Sequence, residues 1–302
     1  MRRLHANVLL LGCAAIWGFG FLFQKSAMEH IEPMLFVAAR SGLAAAVLAP
    51  FAWLEHRAAR SAPFASTFVG PSFVRVSLAA GVLFAVAAIL QQRGIVTASV
   101  TNTAFLTALY VVATPLLAWA LLRQPPSRPV WLAVALSFLG TWLLGGGGFV
   151  TFDGGELLVL VSTLFWALHL IVLGKAGPFG RPILLTANQF AIAAVIALAG
   201  AVAFETIDPA ALWRAAFDIA FIGIFSSALA FAIFAAALRQ TLPAEAAVIV
   251  STEALFAALG AFVLLGERLT WIAACGAVLI LVAALVVQLA TPDPAQPGLA
   301  QN

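Results

Sequence analysis

The densest polar chemistry in this 302-residue chain lies in one apolar segment. Thr103, Thr107, Tyr110 and Thr114 follow steps of 4, 3 and 4. A helix over that stretch puts them on one face, with Asn102 beside it. Such a stripe can line a water-filled cavity and offer oxygens to a cationic group. It can equally bond to neighbouring helices, as threonines do inside membranes. Tyr110 is the only tyrosine in the chain.

Two charges fall inside apolar segments. Glu253 is near the middle of one, where an acid costs about 2.5–3.5 kcal/mol. It can bind a substrate ammonium or carry a proton; the plainer alternative is a neutral carboxyl bonded to a neighbouring helix. Arg40 lies in the outer third of another segment. It can contact a substrate carboxylate, pair permanently with an acid, or reach outward along its stem. Ser162, Trp166 and His169 share a helix face. His169 can relay protons or simply pack. Trp17 and Trp166 sit mid-span, whereas membrane tryptophans favour the interfaces. They can wall a cavity or pack two bundles together. Gln24 is a further polar candidate, with Gln91, Gln92, Asn188, Ser226 and Ser227 behind it.

These residues must be held by a membrane scaffold. The chain is 64% hydrophobic and 9% charged, with mean hydropathy +1.09. Soluble domains carry roughly 25% charged residues. Ten apolar runs are expected to span at 6–27, 33–54, 73–91, 99–122, 129–147, 155–174, 182–204, 213–236, 243–265 and 270–290. Unpaired backbone is excluded from lipid, so the runs are read as helices. Short loops leave no room for an extramembrane domain. The tail 291–302, with three prolines, is read as a disordered cytoplasmic extension.

The net charge of +3 reflects topology and not nucleic-acid binding. With the N-terminus inside, the inner loops hold most of the arginines, including Arg2, Arg3, Arg57, Arg60, Arg123, Arg128, Arg181 and Arg239. The positive-inside rule then puts both termini in the cytoplasm. Arg2-Arg3 before an apolar run imitates a signal peptide, and Leu10-Leu11-Gly12-Cys13 imitates a lipoprotein box. The run continues to Phe23, so it is read as an uncleaved first helix. Cys13 and Cys275 have no neighbours at metal spacing, and no metal or cofactor is expected.

The ten runs read as five plus five. Trp17, Pro33 and Arg40 lie 149 positions before Trp166, Pro182 and Gln189 (166−17, 182−33, 189−40). Lys25 and Lys175 match within one position. Later landmarks, Pro115 with Ala254 and Trp131 with Trp271, lie 139 and 140 apart (254−115, 271−131). The longer 55–72 loop of the first half accounts for the fall. A repeat with an odd number of crossings must insert upside down relative to its copy. Repeats 1–147 and 148–290 therefore imply the plan of a secondary transporter, with its site between the halves.

Several stretches resemble the drug/metabolite transporter superfamily. They are Ala14-Ala15-Ile16-Trp17-Gly18, Pro33 with Arg40, Phe105 to Tyr110 with Thr114-Pro115, and Ser251 to Phe256. The most specific is Gly266-Glu267-Arg268-Leu269-Thr270 before the last span. The resemblance covers roughly 8–289. It is similar to the ten-helix amino-acid and metabolite exporters, including exporters of aromatic amino acids. Where that family often has Glu-Pro, this chain has Glu253-Ala254. The resemblance implies an all-α membrane protein that exports amino acids (aromatic or neutral) or related metabolites across the bacterial inner membrane by alternating access. Its partners would be the small substrate, the bilayer and protons. A proton-coupled exporter of cationic drugs is the alternative. A membrane-embedded enzyme is a remote third, since the chain has no HExxH, GxSxG or paired carboxylates.

Overall fold

The computed structural model describes residues 3–60, 70–123, 125–148, 154–265 and 270–290. The Gly266 to Leu269 part of the family-like stretch, residues 61–69 of the 55–72 loop and the tail 291–302 lie outside the described residues. Every element among the described residues is helical. Among the described residues nine helices are long and apolar enough to cross a membrane, and a tenth apolar helix, Arg128–Leu144, has 17 residues. Proline opens several of them: Pro33, Pro71, Pro182 and Pro243. Its missing N–H costs nothing there, and its fixed φ suits the first turn.

In order, the helices are Arg3–Ala27, Pro33–Arg60, Pro71–Ile95, a broken fourth, Arg128–Leu144, Gly154–Lys175, Pro182–Phe204, Ala216–Ala237, a broken ninth, and Trp271–Ala290. The second and third run past their expected ends. The eighth begins later than expected, because Pro209–Arg214 forms a separate short helix capped by Asp208. Trp213 on it is 83% exposed.

The fourth helix divides into Val100–Ala108 and Tyr110–Leu122, and the ninth into Pro243–Val250 and Glu253–Leu265. The ninth breaks without a proline. Ser251 and Thr252 donate their hydroxyls to the carbonyls of Val248 and Ile249 at 2.7 Å each. This back-bonding competes with the helical ladder and bends it. The pieces correct the register. Val100 and Pro243, Tyr110 and Glu253, and Arg128 and Trp271 each open matching elements 143 positions apart (243−100, 253−110, 271−128). The counterpart of Glu253 is therefore Tyr110. The 139-residue spacing had aligned Glu253 with Thr114.

The repeat also shows in packing. A methyl on Gly81 would meet Gln189 O at 3.1 Å and Ile192 Cβ at 2.7 Å. A methyl on Gly223 would meet Arg40 O at 3.1 Å and Leu43 Cδ2 at 2.9 Å. Each glycine lets its helix lie against the second or seventh helix of the other half, at matching residues. The fifth and tenth helices cross at another close pair, Gly140 and Gly276.

The second and seventh helices are tied at both ends by acids that sequence reading had not singled out. Glu55 accepts from the N–H groups of Ile183 (3.3 Å) and Leu184 (2.8 Å), the first turn of the seventh helix. Glu205 accepts from Met34 (2.8 Å) and Leu35 (2.9 Å), the first turn of the second. Each carboxylate caps the free N–H groups and the positive dipole end of the opposite helix. Such caps are worth about 1–2 kcal/mol. Glu205→Ala should lower the melting temperature in detergent by about 2–4 °C. Exposed Glu29→Ala should leave it unchanged. Equal melting of the two variants would contradict the cap.

Candidate functional site

The helix breaks, the two mid-span tryptophans and both intramembrane charges converge on one cavity between the repeats. Its volume is about 70 Å³. Its wall includes Trp17, Phe21, Gln24, Arg40, Phe84, Gln91, Thr107, Tyr110, Trp166, His169, Phe231 and Glu253. Trp17, Gln24, Arg40, Thr107, Tyr110, Trp166, His169 and Glu253, all singled out from sequence, are therefore together.

Asn102, Thr103 and Thr114 are elsewhere. The break at Leu109 interrupts the single face that regular spacing would give. Thr107 and Tyr110 reach the cavity. Thr103 instead returns its hydroxyl to Ser99 O at 2.8 Å. Thr114 is fully buried outside the lining. Asn102 lies in the first turn, where its N–H is capped by Ser99 and its amide is 3.5 Å from Glu156.

Trp17 has a fixed job. Its indole N–H donates to Ser226 O at 2.9 Å, within the π-helical stretch Phe221–Leu229. Its ring centroid lies 4.7 Å from that of Phe231 and 5.2 Å from Phe234. The first helix approaches the ninth closely beside it. A methyl on Gly18 would collide with the Glu253 carbonyl. Trp17 thus packs the halves together and walls the cavity at once.

Trp166, its repeat mate, keeps a free indole N–H. It stacks on Phe231 (6.3 Å) and meets Phe84 edge-on (5.3 Å). His169 is held in the same aromatic group. With Nε2 protonated it donates to Gln189 Oε1 at 3.0 Å. Gln189, the mate of Arg40, is therefore engaged, while Arg40 is not. Arg40 is 4% exposed, and its guanidinium lies 5.7 Å from the ring centroids of Phe36 and Phe84. Among the described residues it has no hydrogen bond and no acid partner. It neither pairs with an acid nor reaches out of the protein.

Glu253 is 4% exposed and opens the second piece of the ninth helix. The Tyr110 hydroxyl lies beside it, but the two do not meet at hydrogen-bonding geometry. Four buried polar atoms on the cavity wall lack a partner: Arg40 Nε, Tyr110 OH, Trp166 Nε1 and Glu253 Oε1. Leaving such a group unmet costs about 1–3 kcal/mol, more when it is charged. Three are donors or cationic, and one is an acid. Gln91 bonds to Thr107 at 2.8 Å and closes another part of the wall.

Phe84, Phe231 and Phe234 are wall residues that sequence reading missed. With 24 phenylalanines in the chain, nothing in the sequence separates them from lipid-facing ones. Their only signal is their distance in register from the mid-span tryptophans, which needs the helix packing to interpret.

Comparison with known proteins agrees with this architecture. The chain is 28% identical over 303 residues to a protein of Archaeoglobus fulgidus described as an uncharacterized transporter. That match covers 96% of this chain and 87% of the archaeal one. A protein of known crystal structure superposes with a TM-score of 0.74 at 16% identity, covering 95% of this chain and 97% of that one, which shows a shared fold. The EamA-like transporter family matches twice, over residues 4–146 and 153–289. With two copies of that unit across nearly its whole length, the chain is a multi-pass membrane protein that belongs to the EamA-like transporter family.

Proposed function

We propose that this transporter exports amino acids with aromatic or other neutral side chains, or closely related zwitterionic metabolites, by alternating access. One observation carries the reading. Two mid-span ionisable residues of opposite sign, Arg40 and Glu253, both face one cavity and pair with nothing among the described residues. A zwitterion supplies the missing partner of each. Its carboxylate meets Arg40 and the free Trp166 N–H. Its ammonium meets Glu253 and the Tyr110 oxygen, while its side chain lies against Phe84 and Phe231. A cationic drug would suit Glu253 and the aromatic wall, but would face the unneutralised Arg40.

The rest of the reading follows from the sequence. Arginine bias supports an inner-membrane protein with both termini in the cytoplasm. The halves 1–147 and 148–290 are the units that rock, with the site between them. Substrate and proton gradients are the available drives, and export is the proposed direction.

Counterflow into proteoliposomes tests this. Vesicles loaded with unlabelled phenylalanine should accumulate labelled aromatic and neutral amino acids saturably. Absence of counterflow for every amino acid would overturn the assignment. Flux indifferent to a pH gradient would remove the proton role of Glu253.

A further inference from the structure

The repeat-matched lysines behave differently. Lys25, at the end of the first helix, donates to the carbonyls of Ile95 (2.8 Å), Val96 (3.0 Å) and Ala98 (3.1 Å). All three of its protons are used on the end of the third helix and the turn after it. Gln92 adds a bond to Gln24 O at 3.1 Å. Lys175 ends the sixth helix at the opposite face of the repeat. It is exposed, and among the described residues it has no hydrogen bond or ion pair.

A lysine at a helix C-terminus is often an ordinary cap. The asymmetry argues for more. The third helix ends at Ile95 and its mate, the eighth, at Ala237. The carbonyls matching those held by Lys25 therefore begin at Ala237 and Leu238. They face the short turn Gly177–Phe179 that follows the sixth helix: a methyl on Gly177, two residues past Lys175, would lie 3.6 Å from Arg239 Cα and 4.0 Å from Leu238 O. In this state Ala237 O is held instead by the Gln240 N–H (2.9 Å) and the Thr241 hydroxyl (3.3 Å), and Lys175 makes no bond to this end of the eighth helix. The second and seventh helices, by contrast, are tied by Glu55 and Glu205 at both faces at once.

The geometry points to Lys25 and Lys175 as alternating latches, one formed and one open in each access state, about a seam between the second and seventh helices that stays closed. The inference rests on alternating access and not on the amino-acid assignment. In this state the Lys25 face is latched shut. In the other, Lys175 grips the end of the eighth helix and the Lys25 latch is released.

The test is side-specific labelling with a membrane-impermeant maleimide. The reporter is Ser226→Cys on the cavity wall, in a chain carrying Cys13→Ser and Cys275→Ser. Reagent is applied from each side of oriented membranes. Lys25→Met should raise labelling from the Lys25 face about tenfold, as expected for losing bonds from a charged donor. Lys175→Met should act oppositely, lowering labelling from the Lys25 face and raising it from the other. A purely structural lysine gives no such opposed pair. If neither variant changes the side of labelling, the latches are ordinary caps and the inference fails. Should Lys25→Met not insert, Lys175→Met decides alone, because its exposed side chain supports no contact in this state. A fall in labelling from the Lys25 face sustains the proposal and no change overturns it. Labelling needs no transported substrate, so the outcome is separate from the counterflow result.

Discussion

Glu253→Gln should reduce transport by about two to four orders of magnitude while leaving the protein as stable as before, or slightly more so. The size follows from removing one member of a buried charge pair formed with the substrate, about 3–5 kcal/mol. The sign of the stability effect follows from the free protein. There the carboxyl pairs with no described cation and one of its oxygens is unpartnered, so neutralising it removes a cost and breaks no ion pair. A structural Glu253 would behave in the reverse way, with flux tracking loss of fold. Transport assays paired with melting curves in detergent separate the two. Wild-type flux in Glu253→Gln would refute the ammonium site.

Arg40→Met should change what is carried more than how well the protein folds. Methionine keeps an apolar stem beside Phe36 and Phe84 but offers no donor. The amino-acid carboxylate then loses its cationic partner, and affinity should weaken about tenfold or more, the worth of a charge-assisted hydrogen bond. A substrate lacking the carboxylate should bind better than in the wild type, since the repelling guanidinium is gone. The ratio of KM for an aromatic amino acid to that for its decarboxylated amine reports both effects. An unchanged ratio would return Arg40 to a packing role.

Much of this site was legible because membrane helices use few polar residues. Arg40, Glu253, His169 and Gln24 stand out by charge or polarity at depth, and Trp17 and Trp166 by tryptophan far from the interfaces. All six line the cavity. The repeat was legible too, as the 149-residue spacing persists in the packing of Gly81 on Gln189 and Gly223 on Arg40. What failed was anything that depends on how a helix departs from regularity. Spacing put Thr103 and Thr114 with Thr107, but the break at Leu109 divides the stripe. The ninth helix breaks through serine and threonine back-bonding, which leaves no proline to read. That break also hid the equivalence of Tyr110 and Glu253. The caps made by Glu55 and Glu205 were invisible for another reason: each needs backbone N–H groups well over a hundred positions away, and in sequence both look like ordinary charges at span ends.

The central claim is that one cavity binds both ends of a zwitterion. The most direct measurement compares initial flux of an aromatic amino acid with that of its decarboxylated amine in the same wild-type proteoliposomes. Arg40 opposing a lone cation predicts that the amino acid is carried at least about tenfold faster. An amine carried as well as the amino acid, or better, would contradict the claim and make this a carrier of organic cations.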